Sequence, residues 1–396
     1  MRKTWAPLAA LVLVALVPPA SATPTHLDSM AVNTWYEIPN SAIQQAFVSR
    51  PYNCGSGNGT YGIMAWSGGS FDSKRDRMMV WGGGHDDYCG NETYAFDLNT
   101  LRWSVLESGS SQGSIYQDSP TGAYGDGKPT SRHTYGGQCY IPGADLLFVF
   151  SGCSWGGNCT CKDDSWTLNL AGVPTWTQRA YGYVSTTNGS NAMPDSANQS
   201  AICWQVNGPG RGFSKYTLAT NTYSVITAGN PLQNSVAYGA FDPVSRTILF
   251  AGSTAAGTPT AQTWTLSSNG TTLTDDRVMS QMTGDMTPLS QLRPGLVYVP
   301  TLRKFACWAG GNYVYTYDPS TGIWSRITPG NSVTLPGMDH EGIFGRVQYS
   351  PAKNCLIVVN SYDENVWAFK LGKSGTPPPS GDTTSPAAVT DLTVPR

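Results

Sequence analysis

One structural unit recurs between residues 31 and 371 of this chain. It consists of an apolar segment, a turn, a second apolar segment ending in Gly, an alternating segment, a turn and an aromatic residue. The copy at residues 295–327 reads GLVYVPTLRKFACWAGG and then YVYTYDPSTGIWSRI. Further copies lie at residues 60–106, 133–178, 235–275 and 344–371, with a degenerate copy at 199–227. Strand-rich repeats of roughly 40–50 residues predict a β-propeller rather than a β-sandwich.

The repeats predict an all-β propeller of six four-stranded blades over residues 31–371. A seventh blade stays open if residues 107–130 or 180–198 hold a degenerate copy. The last copy ends at Leu371 without a final strand, and residues 34–38 have the missing pattern. We therefore expect the N-terminal strand to pair into the last blade and close the ring.

Both ends of the chain differ from the repeats. Residues 1–22 contain a basic pair, an uncharged apolar run and a small-residue end, which is the pattern of a secretory signal peptide. We therefore expect a secreted protein. Residues 372–385 have the Pro, Ser and Thr content of a linker, and residues 386–396 resemble the start of a fibronectin type III domain. The sequence thus predicts a monomeric propeller within a longer multidomain chain.

The charge balance limits the expected partners. The chain has 24 Lys and Arg against 26 Asp and Glu, a formal net charge of −2. Nucleic acids and anionic membranes require a basic face, so neither is expected as a partner. Charged residues make up only 13% of the chain, against roughly 25% in an average protein. Together with 44 glycines, this composition suits an exported all-β protein with short turns.

The sequence contains nine cysteines, most of which should pair in an oxidising compartment. Cys153, Cys159 and Cys161 lie close together and predict a local disulfide. A metal site is the alternative, and a structural divalent metal stays open as a cofactor, although CxC is not a common zinc spacing. Cys307 and Cys355 lie in apolar strands and are predicted to be buried thiols.

The predicted topology places several polar residues on one face. In antiparallel blades, the loops between second and third strands share a face with the connections between blades. His85 falls in a loop of the first kind, and Arg132, His133 and Arg293 fall just before innermost strands. The same face is expected to carry Asp87, Tyr88, Tyr116 of the long insertion, His340 and Arg346.

Arginine beside histidine and tyrosine on an open face suits an acidic sugar. A guanidinium binds a carboxylate bidentately and neutralises it. In a uronate, this neutralisation acidifies the C5 proton, which a histidine or tyrosine can then remove. A second proton transfer to the departing O4 completes a β-elimination. The residue set therefore predicts a polysaccharide lyase.

Two motifs connect this chemistry to a known family. GGGHDDYCGNE at residues 82–92 and SRHTYGG at residues 131–137, on a Kelch-like secreted propeller, resemble the ulvan lyases of the β-propeller polysaccharide lyase families. The resemblance implies cleavage of an anionic, ulvan-like polysaccharide. It implies a catalytic set of His85, Tyr116 and Arg132, with His133 in place of a second family histidine. The residues expected to bind substrate are Asp87, Tyr88, Arg293, His340 and Arg346.

Two other functions are compatible with the same sequence. A non-catalytic glycan-binding or adhesion propeller would use the same face without chemistry. A copper radical oxidase, also Kelch-like, needs two Tyr, two His and a Cys crosslinked to a Tyr, and His85, His133 and His340 are candidate ligands. The recurring tryptophans are predicted to fill the core or the space between blades: Trp66, Trp81, Trp103, Trp176, Trp264 and Trp324.

Overall fold

The structure is a computed structural model. It describes residues 25–47, 54, 60–85, 88–116, 119, 121–154, 162–181, 189–205, 212–228, 238–253, 257–339 and 341–372. Within these residues the strands form six four-stranded antiparallel units, here named blades 1 to 6, with strands a to d from the axis outward. Three short strands lie outside these units: Arg132–His133, which pairs with Cys153–Ser154, and Thr283–Gly284, which pairs with strand d of blade 5. The all-β propeller expected from the sequence is therefore confirmed.

The blades follow one another along the chain. Blade 1 contains Gly69–Asp72, Arg77–Val80, Thr93–Asp97 and Arg102–Glu107, and blade 2 contains Gln138–Ile141, Leu146–Phe150, Ser165–Asn169 and Thr175–Gln178. Blade 3 contains Ser190–Asp195, Ser200–Gln205, Gly212–Thr217 and Thr222–Ala228, and blade 4 contains Tyr238–Asp242, Thr247–Ser253, Pro259–Leu266 and Thr272–Val278. Blade 5 contains Gly295–Val299, Lys304–Trp308, Val314–Asp318 and Ile323–Ile327, and blade 6 contains Val347–Ser350, Cys355–Val358, Trp367–Lys370 and the N-terminal strand Trp35–Glu37.

The helices of the described residues are short. A four-residue α-helix covers His26–Ser29. Single 3₁₀ turns cover Ile43–Ala46, Thr60–Ile63, Gln112–Ser114, Pro142–Ala144, Ser196–Asn198, Met279–Gln281, Thr287–Ser290 and Phe344–Arg346. Among the described residues, no helix combines the length and apolar content needed to span a membrane.

The ring is closed by the N-terminal strand, as the sequence predicts. Trp35 pairs with Phe369 and Glu37 with Trp367 in an antiparallel ladder, so residues from the two ends of the domain share blade 6. The indole of Trp35 packs on the ring of Phe369, with centroids 4.8 Å apart. The a strands contact one another in sequence around the axis, and the a strand of blade 6 contacts that of blade 1.

Blade 3 differs from its sequence description. The degenerate copy was expected to begin near residue 199, but the a strand of this blade is Ser190–Asp195. Its sequence, SNAMPD, lacks an apolar run and contains Pro194. An a strand is an edge strand of its blade, where proline is tolerated because one side of the backbone needs no ladder partner. In the described part of the insertion at 107–131, the regular structure consists of the 3₁₀ turn Gln112–Ser114.

The hydrophobic core lies between blades. One cluster joins Met79 and Trp81 of blade 1 to Leu147 and Trp166 of blade 2. The predicted filling role is confirmed by the burial of Trp81, Trp176, Trp264 and Trp324. Trp66 and Trp103 are only partly buried: Trp103 packs against the core beside Phe96, whereas Trp66 lies at the axis.

The cysteines are partly as expected. Cys307 and Cys355 are buried, as predicted. The structure contains a disulfide between Cys54 and Cys89, which the sequence did not indicate. Cys159 and Cys161 lie outside the described residues, so the local disulfide stays a prediction. A disulfide is compatible with an extracellular or periplasmic location.

Candidate functional site

Four blades send a large side chain towards the axis from the same backbone position. Trp66, Tyr135, Arg293 and Phe344 each lie two or three residues before an a strand. All four have positive φ, at 56°, 50°, 55° and 49°. Bulky residues adopt this left-handed conformation at a cost on the order of 1–3 kcal/mol, and such strain concentrates at functional sites.

The four side chains contact one another. The rings of Trp66 and Tyr135 have centroids 6.2 Å apart, and those of Tyr135 and Phe344 are 5.8 Å apart. The guanidinium carbon of Arg293 lies 4.1 Å from the Trp66 ring centroid and 5.9 Å from that of Phe344. With His85 and His133, these residues form what we call the axial cluster.

Two histidines join the cluster from neighbouring blades. The imidazole centroids of His85 and His133 are 5.2 Å apart, and that of His133 is 5.9 Å from the Tyr135 ring. Both histidines are partly exposed. Burial, followed by the neighbouring His85, lowers the pKa of His133 from 6.5 to about 3. His133 is therefore neutral throughout the physiological pH range.

A glycine brings His85 to this position. Gly84 has a φ of 80°, and a Cβ on it would lie 2.9 Å from the Cα of Arg132. Only glycine lets the loop after strand b of blade 1 approach the backbone of the next blade so closely. The GGGH motif thus has a direct structural reason, since it delivers the imidazole of His85 to that of His133.

Arg293 is buried without a strong partner. Arg293 as a whole residue is only 7% exposed. Within the described part of the chain, its guanidinium contacts aromatic faces but forms no hydrogen bond or ion pair. Burial lowers its pKa to about 10, with Tyr135 and Glu341 acting in the opposite direction. The donors of this cation are consequently not used by the fold.

Arg132 does not have the role that the sequence predicted. Its residue is fully buried, and its guanidinium forms a bidentate ion pair with the carboxylate of Asp164. The same guanidinium donates to the carbonyl oxygens of Gly122 and Thr130. Because its donors are taken by the protein, Arg132 is corrected from a substrate clamp to a structural residue.

Arg346 and Tyr88 are also corrected. Arg346 is fully buried, and its guanidinium donates to backbone carbonyls that include those of Met64 and Ser67 in blade 1. Tyr88 is 1% exposed, and its hydroxyl donates to the carboxylate of Glu92 at 3.0 Å. Neither side chain reaches solvent, so neither is placed to bind a polymer.

The remaining predicted residues give a mixed result. Tyr116 is 45% exposed, but its hydroxyl donates to the carbonyl of Ala123 in its own loop, and its ring contacts Tyr124. Asp87 and His340 lie outside the described residues. The structure thus brings together His85, His133 and Arg293 from the predicted set and adds three aromatic residues that sequence reasoning missed.

A signal for the missed residues is present in the sequence. Trp66, Tyr135 and Phe344 each precede glycine within two residues, in the segments WSGG, YGGQ and FGRV at the start of strand a. A bulky residue at the same blade position, where one repeat has Arg293, marks the side chains that point to the axis. Among the described residues, no group of three or more His, Cys, Asp or Glu is arranged to hold a metal ion.

No family model and no curated protein matches this chain. An auxiliary nutrient binding protein from Bacteroides thetaiotaomicron is similar in structure, at 13% identity and a TM-score of 0.48 over 78% of this chain and 69% of the other. A protein of unknown function from the same organism is similar at 10% identity, with a TM-score of 0.46 and coverages of 84% and 74%. TolB from Acinetobacter baumannii is similar at 9% identity, with a TM-score of 0.41 and coverages of 67% and 55%.

Proposed function

We propose that the axial cluster binds a uronate residue of an extracellular polysaccharide. The observation that carries this proposal is the buried guanidinium of Arg293, which contacts only aromatic rings within the described chain. A planar guanidinium binds a carboxylate through two parallel hydrogen bonds, which suits an acidic sugar. Trp66 offers a partly exposed aromatic face beside it, of the kind that lines ligand sites.

An anionic ligand is favoured over a neutral one by the energetics of the cluster. Removing a cation from water without a paired anion costs several kcal/mol in a protein interior. The carboxylate of Glu341 lies near enough to raise the pKa of Arg293 but forms no ion pair with it in the described residues. A ligand carboxylate would complete the missing pair, whereas a neutral sugar would leave the guanidinium uncompensated.

The reaction proposed for this site is β-elimination, as in the lyases that the sequence resembles. Arg293 takes the part that was expected of Arg132, since it packs on Trp66, which stacks on His133, and the ring of His133 contacts His85. A base with a pKa near 3 is too weak to remove a C5 proton efficiently. His133 is therefore assigned to hydrogen bonding with the sugar. His85 is the candidate base: it takes the C5 proton, and the imidazolium so formed gives that proton to the departing O4 as the C4–O4 bond breaks. The proposed activity is that of a uronate-specific polysaccharide lyase.

The test is a panel of uronic-acid polysaccharides, including ulvan, incubated with the purified protein. Binding is measured by calorimetry, and cleavage by the ultraviolet absorbance of the unsaturated product. Carboxyl-reduced forms of the same polymers are the matched control. The proposal predicts binding of the acidic forms only. Binding without absorbance would leave a non-catalytic glycan-binding propeller, and equal binding of the reduced polymers would overturn recognition of a uronate.

A second candidate, a copper radical oxidase, is favoured by one contact. The hydroxyl of Tyr135 donates to Sγ of Cys153 at 3.6 Å, and Cys153 is the cross-strand partner of His133. Such oxidases hold copper with two His nitrogens and two Tyr oxygens, and one of the two Tyr is joined to a Cys. Copper titration followed by electron paramagnetic resonance tests this candidate. A copper radical oxidase should give a copper resonance signal that Tyr135→Phe and Cys153→Ser each alter. If the protein binds no copper, this candidate is excluded.

A further inference from the structure

The axial channel contains a cavity at the end opposite the axial cluster. In five of the six blades the next-to-last residue of strand a is aromatic: Phe71, Tyr140, Phe241, Tyr298 and Tyr349. All five line one cavity of about 290 Å³. Its mouth is formed by the turns that follow strand a, and four of these turns carry a proline at the same position: Pro142, Pro243, Pro300 and Pro351.

The cavity is separated from the axial cluster by aromatic side chains. Tyr238 lines the cavity and belongs to the same buried cluster as Tyr135 and Phe344. Tyr135 and Phe344 are part of the axial cluster, so Tyr238 lies between that cluster and the cavity, and the cavity ends beneath the cluster. A ligand would enter from the face of the a–b turns, and its binding is independent of the proposed polysaccharide site.

The lining is mostly apolar and carries no charge. Lys, Arg, Asp, Glu and His are absent from the described residues that line the cavity, and aliphatic residues such as Met193 and Leu296 fill the spaces between the rings. A charged ligand would lose its hydration without gaining a counterion. The occupant is therefore neutral.

Two residues that line the cavity each carry a buried polar atom without a partner. The hydroxyl of Ser70 and the amide oxygen of Gln138 form no hydrogen bond within the described chain, and both residues are 2% exposed. The amide nitrogen of Gln138 donates to the Trp81 carbonyl at 3.0 Å and to the Thr134 hydroxyl at 3.2 Å. These bonds hold the amide with its oxygen unused. Buried acceptors without partners are rare in proteins and indicate a missing donor.

We propose that this cavity binds a neutral aromatic molecule that carries a hydroxyl group, such as a phenol or a naphthol. The aromatic rings of the lining pack against the ligand ring, which is the usual composition of a small-molecule site of roughly 300 Å³ or more. The ligand hydroxyl donates to Gln138 or Ser70, whose acceptors are otherwise unused. The absence of lining charge excludes phenolates and aryl acids.

Calorimetric titration with 2-naphthol and with 2-methoxynaphthalene tests the proposal. The two probes share a ring system, but only the first can donate a hydrogen bond. Wild-type protein is expected to bind 2-naphthol about threefold to tenfold more tightly than its methyl ether, which is the usual contribution of one hydrogen bond. Binding of the two probes with equal affinity, or of neither, would overturn the proposal.

Two variants locate the binding. Ser70→Ala removes an unpartnered hydroxyl, so it should leave the thermal midpoint unchanged while reducing the preference for 2-naphthol. Ser104→Ala, at an exposed position of the same blade, is the matched control and should change neither quantity. Ala192→Phe fills the cavity and should abolish binding of both probes, with folding checked by circular dichroism. Retained binding in folded Ala192→Phe would show that the probes bind elsewhere, and an oligouronate that displaces 2-naphthol would show that the two sites are one.

Discussion

Two arginines approach the axis ahead of a strands, Arg132 in blade 2 and Arg293 in blade 5. Both are buried, and the sequence placed both on the same functional face. They differ in their partners. Arg132 forms a bidentate pair with Asp164 and further bonds to carbonyl oxygens, whereas Arg293 rests on the rings of Trp66 and Phe344.

Their partners separate a structural cation from a cation that can bind a ligand. A guanidinium whose donors are satisfied within the protein contributes to folding and has nothing left for a ligand. A desolvated guanidinium without an anion keeps its donors and gains more from a ligand carboxylate than an exposed arginine would. Position in the fold is shared by the two residues, so only the partners distinguish their roles.

The largest expected effect is on the stability of the Arg132 pair. Arg132→Met leaves the carboxylate of Asp164 buried without its cation, which should lower the free energy of unfolding by about 3–5 kcal/mol. Arg293→Met loses cation–π contacts, which destabilises the fold, but it also removes a desolvated charge, which stabilises it. Because the two effects oppose each other, the free energy of unfolding should change by less than about 1 kcal/mol. Urea denaturation of both variants checks the contrast. Equal destabilisation would mean that Arg293 is also a structural residue.

Arg346 extends the same comparison to the seam between blades 6 and 1. Its guanidinium donates to the carbonyls of Met64 and Ser67 across that seam. Arg346→Met leaves these buried carbonyl oxygens without donors. Each unsatisfied acceptor costs about 1–3 kcal/mol, and an acceptor that water can reach costs less. We expect a loss of about 3 kcal/mol in denaturant titration and no selective loss of ligand affinity. An unchanged stability would contradict the seam role.

Glu92 is an anionic counterpart of Arg293, because it is buried with a hydroxyl rather than a cation as its partner. Burial raises the pKa of Glu92 from 4.5 to about 7. Between these values the unfolded chain releases the proton and the folded chain keeps it, so stability present below pH 4.5 is lost as the pH rises to about 7.

Glu92→Gln removes this titration. Relative to wild type, the variant should gain up to about 3 kcal/mol in the free energy of unfolding between pH 4.5 and 7. Thermal denaturation across that pH range measures the gain. Parallel pH profiles for the two proteins would show that Glu92 has the same pKa in the folded and unfolded chains.

The last comparison concerns His133, whose pKa is lowered to about 3 in the folded protein. Between pH 3 and 6.5 only the unfolded chain binds a proton at this residue, so stability is lost as the pH falls below 6.5. His133→Asn should lose less stability than wild type on acidification. His26→Asn, at an exposed position near the N-terminus, is the control and should follow the wild-type profile. Identical profiles for all three proteins would contradict the burial of a neutral imidazole.

Much of the fold could be predicted from sequence because each blade repeats the same apolar and turn pattern. The closing strand was found because the last repeat lacked one and residues 34–38 supplied it. The a strand of blade 3 was missed because Asn191 and Pro194 interrupt its apolar pattern. The Cys54–Cys89 pair was missed because its cysteines are 35 residues apart and no local spacing connects them.

The site was only partly predictable for a different reason. Topology places a residue on a face, but it gives neither its burial nor its partner. Asp164 lies 32 residues beyond Arg132, and nothing in the sequence indicates that the two side chains meet. The contact between His85 and His133 could be predicted, since the glycine loop after strand b of blade 1 places His85 beside the start of blade 2, where His133 lies.

The central claim is that Arg293, and not Arg132, receives a ligand carboxylate. Calorimetric titration of oligogalacturonate into wild-type protein and folded Arg293→Met tests it most directly, with the carboxyl-reduced oligosaccharide as the control ligand. We expect the wild-type protein to bind with an affinity that falls as salt is added, Arg293→Met to bind at least tenfold more weakly, and the reduced ligand not to bind. Unchanged affinity in Arg293→Met would contradict it.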